Sequence, residues 1–186
     1  MFQAPKRTSD FTPPPTEIDV DERYIFKLVK LTDKGVSEWA DPAKGEDFHD
    51  IDWTFQVARA ETKAPIFNAD GSPWEYIDNT TSKIGKNPKN GMVAKARLWI
   101  EAYLGHSVET DEITADTPNQ LIGKFASGFF ENKEIQARDG SVYTRLKILK
   151  LSPYKAGAPA EPRPAPPPPA PEPEPVAAAA QADIPF

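Results

Sequence analysis

From Ala156 to Phe186 the chain is almost entirely proline, alanine and glutamate, with Pro166-Pro167-Pro168-Pro169 within it and no bulky apolar residue before Val176. Such a stretch has nothing to bury and favours extended polyproline II, so it is expected to be a disordered spacer outside any core. A second cluster, Pro13-Pro14-Pro15, marks residues 1–16 as a flexible N-terminal arm. Folding is thereby confined to residues 17–154, enough for one domain and too few for two well-developed cores. A linker over residues 155–182 then separates that domain from the last four residues.

The absence of cysteine excludes disulfides, thiolate metal sites and cysteine nucleophiles. No apolar run is long enough to span a bilayer, and Met1-Phe2-Gln3-Ala4-Pro5-Lys6-Arg7 lacks the apolar centre of a signal peptide, so a cytoplasmic protein is expected. The net charge of −6 argues against coating of duplex DNA by bulk electrostatics. A nucleic-acid site on such a chain has to be a local basic groove with aromatic stacking, which is how single strands are held.

Within the domain, Arg23 to Leu31 is rich in aromatic and β-branched residues and ends at Asp33-Lys34-Gly35, which predicts the first strand. Ile51, Trp53, Phe55 and Val57 alternate with polar residues and predict the second, with one face buried. Trp74 to Asn79 reads as the third, its buried face left open by the pattern. Asn87-Pro88 supplies a helix cap and a first-turn proline. Met92, Ala96, Trp99, Ile100 and Tyr103 then recur at helical spacing up to the stop at Gly105. Leu121 to Ala137 and Tyr143 to Leu151 predict two further strands joined at Asp139-Gly140. The expected fold is mainly β: a five-stranded oligonucleotide/oligosaccharide-binding barrel with one helix between strands three and four.

Two resemblances bear on function. Asp183-Ile184-Pro185-Phe186 resembles the terminal tip of bacterial single-stranded-DNA-binding proteins, in which a barrel holds DNA and a disordered tail ends in an acidic peptide with proline and phenylalanine. In physical terms Phe186 would fill an apolar pocket while its carboxylate meets a cation, Ile184 adds apolar contact, Pro185 limits the entropy lost, and Asp183 favours a basic rim. Gln181-Ala182 stands where that family carries more aspartates, which implies weaker, more salt-sensitive docking. In addition, Trp74 to Thr80, the helix from Lys95 to Gly105 and Leu121-Ile122-Gly123-Lys124 resemble phage-encoded single-stranded-DNA-binding barrels. The resemblance implies binding of single-stranded DNA with little sequence preference during replication, recombination or repair, in a bacterial or phage-infected cell. The implied partners are the DNA itself and the proteins that dock on the tip, with no membrane partner; self-association into a homo-oligomer is left open.

The candidate DNA contacts are aromatics able to stack on bases and cations able to track phosphates. Trp39 and Phe48 lie in the connection between the first two strands, with packing over the barrel end as the alternative. Arg59 ends the second strand, Trp74 and Tyr76 share a face of the third, and Lys83, Lys86 and Lys89 form a basic run before the helix. Lys124 opens the fourth strand, and Tyr143, Arg145 and Lys147 share a face of the fifth, readable equally as the polar side of an edge strand. Trp53, Phe55 and Trp99 are assigned to the core. His49 and His106 fall in no metal-ligand spacing, and no phosphate loop, serine elbow or carboxylate pair is present, so neither catalysis nor a cofactor nor a metal is expected. Two other readings stand beside DNA binding: an interaction module or decoy that uses the tail without coating DNA, and an RNA-binding barrel.

Overall fold

The computed structural model describes residues 18–87, 91–136 and 140–156. Five strands, β1 (Arg23–Val36), β2 (His49–Arg59), β3 (Glu75–Thr81), β4 (Phe125–Gln136) and β5 (Val142–Pro153), form one antiparallel sheet in the order β3-β2-β1-β4-β5. The helix α1 (Lys95–Leu104) falls between β3 and β4, as the sequence predicts.

The core is aromatic. Trp53 and Phe55 of β2 meet Trp99 of α1 edge to face, with centroids 5.3 and 5.5 Å apart. Phe130 of β4 lies between Tyr24, Phe26 and Tyr76 at 5.0–5.2 Å. Such edge-on pairs add to the burial of their large apolar surfaces, the main favourable term here. Buried polar tips find partners: the Tyr103 hydroxyl donates to the Phe26 carbonyl at 3.1 Å and the Trp53 indole N–H to Thr80 Oγ1 at 2.9 Å.

The sheet is not closed into a barrel. Its edges, β3 and β5, exchange no backbone ladder, and side chains span the gap between them. The Tyr76 hydroxyl donates to the Leu146 carbonyl at 2.9 Å, and the Ile148 N–H donates to Asp78 Oδ2 at 3.3 Å. A step of two residues on β3 matches a step of two on β5, so the two edges run in the same direction and are bridged through side chains. Asp78 itself is fully buried and also accepts from Lys147 Nζ at 2.6 Å, Lys95 Nζ at 3.1 Å and the Asn79 N–H at 2.8 Å. Burial alone would push its carboxyl up; the two ammonium groups and these hydrogen bonds outweigh it and hold the carboxyl below the usual range.

Several boundaries differ from the sequence-based expectation. β1 continues through Gly35, which takes a left-handed φ of 87° where the β1–β2 register shifts. The helix starts at Lys95 instead of after Asn87, and Met92 is exposed and outside the helix. At the expected start the backbone instead closes on itself, the Asn87 N–H donating to the Met92 carbonyl and the Gly91 N–H to the Asn87 carbonyl, both at 2.8 Å, and Ala94 takes the N-cap position of the helix. Leu121 closes a short 3₁₀ turn, and β4 begins only at Phe125. Gly123 and Lys124 nevertheless bond to both sides of the Leu28 peptide, which delivers the chain to β1. Among the described residues, no helix is long and apolar enough to cross a membrane.

Candidate nucleic-acid interface

The structure separates the sequence-predicted contacts into exposed, paired and buried groups. Trp39 is the exposed tryptophan, with 72% of its surface accessible, whereas Trp53, Trp74 and Trp99 are at most 3% accessible. It follows the end of β1 in a connection shaped by a 3₁₀ turn over Pro42–Lys44, whose N–H groups are capped by Asp41. Phe48, in the same connection, is half-buried beneath Lys83, whose ammonium lies 3.7 Å from the ring centroid. Lys83 also reaches Glu46 at 3.3 Å, so an aromatic, a cation and a carboxylate form one surface cluster there.

Trp74 and Tyr76 are corrections to the expected site. Both are fully buried, 5.7 Å apart between centroids, and Tyr76 is engaged with β5, so neither ring face is open to a base. The alternation Trp74, Tyr76, Asp78, Thr80 defines the core face of β3, a pattern obscured at the sequence level because a buried aspartate sits in it. Arg59 is ion-paired with Glu22, which leaves its guanidinium occupied in the fold. Lys86 is exposed, in a bridge to Val93, and Lys124 is exposed ahead of β4. Lys89 lies outside the described residues, as do Asp183, Ile184, Pro185 and Phe186 of the tip.

On β5 the expected facing holds. Leu146 and Ile148 are buried, while Tyr143 is exposed and Arg145 and Lys147 are half-buried on the opposite face. Cross-strand register sets Tyr143 opposite Ile135, Arg145 opposite Lys133 and Lys147 opposite Glu131. β1 pairs with β4 only as far as Phe129, so this half of the β4–β5 hairpin projects beyond the start of β1. Lys147 is drawn toward Asp78 and Asn79, and its charge is largely spent on the seam.

Sequence reasoning missed a third group. Phe125 is exposed at the start of β4, its ring 6.0 Å from Tyr154, and Lys63 Nζ lies 5.6 Å from the Tyr154 centroid. Lys63 is the one described non-glycine residue with a positive φ, 59°. No sequence signal marks a lysine in a left-handed turn position, and Phe125 reads as an ordinary apolar strand residue.

Among the described residues, no cluster of histidine, aspartate and glutamate is arranged to hold a metal ion. No protein-family model matches the chain, and no curated protein sequence matches it.

Proposed function

We propose that the protein binds single-stranded nucleic acid, DNA in the first instance, with little sequence preference, and that its C-terminal tip docks partner proteins in replication, recombination or repair. The observation that carries the reading is Trp39: a large ring held out in solvent on the connection that also carries Phe48 under Lys83, a connection of the kind that flanks the binding surface of partly open oligonucleotide-binding barrels. Support comes from the strand order, whose two edges, β3 and β5, run in the same direction, are bridged through side chains and would be the closing pair of such a barrel. Stacking on an exposed aromatic is tolerant of sequence because every base presents a π-face.

Three of the four tryptophans are buried, so emission that changes with added oligonucleotide reports on Trp39. Titration with unlabelled oligothymidylate at low salt is expected to quench the emission, and Trp39→Phe is expected to abolish the quench. Unchanged emission of the wild-type protein across the titration would overturn the reading.

One observation favours the interaction-module alternative. The outer face of β2 and β3 carries Asp50, Asp52 and Glu75, an unfavourable surface for phosphates. Removal of residues 183–186 discriminates: DNA binding survives if the sheet holds the strand, and partner capture alone is lost.

A further inference from the structure

We infer that a bound single strand runs along the outer face of β4 and β5 and the adjoining part of β1, away from the β2–β3 side. This rests on the single-strand reading above and adds to the Trp39 connection, which follows the far end of β1, a second surface for the strand.

The two sides of this outer face, joined through the row Glu75, Gln56, Lys27 and Phe125, differ in charge. On β2 and β3, register places Asp50 opposite Thr81, Asp52 opposite Asn79 and Gln56 opposite Glu75, and Lys34 of β1 approaches Asp52 at 3.6 Å. Phosphates drawn there would meet three carboxylates. On the other side, Lys27 of β1 lies opposite Phe125 of β4, Arg23 opposite Phe129, and Phe129 in turn opposite Lys150 of β5. Directly opposed residues share a face, so these cations and the exposed Phe125 ring look the same way.

The face continues without a break into the hairpin. A bulge at Leu149 absorbs one extra residue, after which Arg145 and Tyr143 follow on β5 with Lys133 beside them on β4, while Lys147 of the same row is held by Asp78. The one carboxylate among the strand residues of this face is Glu131, opposite Lys147. Lys27, Lys63 and Lys150 make no ion pair with another described residue. A groove of about 1660 Å³ borders this surface, with Lys63, Lys150 and Tyr154 in its lining; the same lining holds the carboxylates of Asp19, Asp21 and Glu61, and those of Glu22, held by Arg59, and Glu101, held by Arg97.

Aromatic platforms stand at both ends of the track, Tyr143 in the hairpin and the Phe125–Tyr154 pair at the other end. The span along β5 from Tyr143 to Tyr154 is roughly 35 Å at strand rise, long enough for several nucleotides. Lys63 adds a second kind of observation. It keeps a left-handed backbone that costs a non-glycine residue about 1 kcal/mol or more, and that turn carries its ammonium to the Tyr154 ring.

The test uses the full chain and labelled oligothymidylate of about 8 and about 30 nucleotides, one within and one beyond the usual site size of about 4–16 nucleotides. Phe125→Ser, Lys63→Gly and Lys150→Glu are compared with Glu75→Lys on the β2–β3 side of the same outer face. Phe125→Ser and Lys150→Glu are each expected to weaken binding of the longer strand about tenfold, and Lys63→Gly to weaken it less while lowering the salt slope by about 0.7. Lys63→Gly relieves the backbone, so its midpoint of urea unfolding should stay level or rise; weaker binding then cannot be a folding defect. Glu75→Lys is expected to leave affinity within a factor of about two. Wild-type binding that is unchanged in the three face variants, or markedly strengthened by Glu75→Lys alone, overturns the inference and leaves the single-strand reading intact. Absence of wild-type binding at either length overturns both.

Discussion

Asp78→Ala is expected to lower the free energy of unfolding by about 3 kcal/mol, the low end of what removing one partner of a buried ion pair costs. The carboxylate is fully buried and takes four donors: Lys147 Nζ, Lys95 Nζ and the N–H groups of Asn79 and Ile148. Its removal orphans the Ile148 amide at the sheet edge and strips Lys147, whose side chain is 15% exposed, of its counter-charge. The loss is held to the low end because Lys95, 40% exposed at its side chain, can turn toward water. Urea unfolding at neutral pH, fitted as a two-state transition, provides the measurement.

The same residue sets an acid response. The folded carboxyl titrates below its unfolded value of about 3.9, so the folded state binds fewer protons in that interval. The contribution of Asp78 is therefore fully present above about pH 4 and is lost as the pH falls through the lower, folded value. The stability gap between wild type and Asp78→Ala is expected to stay level from about pH 7 to about pH 5 and to narrow below about pH 4. A gap that widens on acidification would contradict this assignment.

Gly128→Ala is the second large effect, expected at about 2–3 kcal/mol of destabilisation. Gly128 lies where three strands meet, opposite Tyr24 of β1 and Leu151 of β5. A Cβ there would press into the backbone carbonyl of Lys150 and against the Leu151 side chain. Backbone cannot step aside as a flexible side chain can, so the β4–β5 ladder would have to shift beside its own bulge. Thermal unfolding of Gly128→Ala against wild type measures the loss. A melting temperature within a degree or so of wild type would show that the ladder yields more easily than this packing allows.

The strands with one clean apolar face were legible from sequence. Ile51, Trp53, Phe55 and Val57 alternate without interruption, and the strand they predict is found over His49–Arg59. β3 was placed, but its buried face was not, because Asp78 belongs to the core through lysines that come from α1 and β5. A local pattern contains no record of such distant partners. Trp74 and Tyr76 were read as stacking platforms for the same reason: the interior of the seam is made by β5, about seventy residues further on, as the Tyr76–Leu146 contact shows. The helix starts later than Asn87-Pro88 suggests because the Asn87 backbone pairs with Gly91 and Met92, and the N-cap position falls to Ala94, whose side chain carries no cap signal. Among the candidate contacts, Trp39 was legible as an aromatic in a polar connection. The Phe125–Tyr154–Lys63 group was not, since it joins three segments and depends on one turn conformation.

Sheet and tip make separable contributions in this account: the sheet holds the strand, and Asp183 to Phe186 holds a partner. The most direct test is a fluorescence-anisotropy titration of a labelled single-stranded oligonucleotide at low and moderate salt, on the full chain and on a chain ending at Ala182. Matched duplex DNA and RNA serve as competitors. Saturable binding of the single strand by both chains, weakened by salt and poorly competed by duplex, is the predicted result; no binding by either chain even at low salt would contradict it.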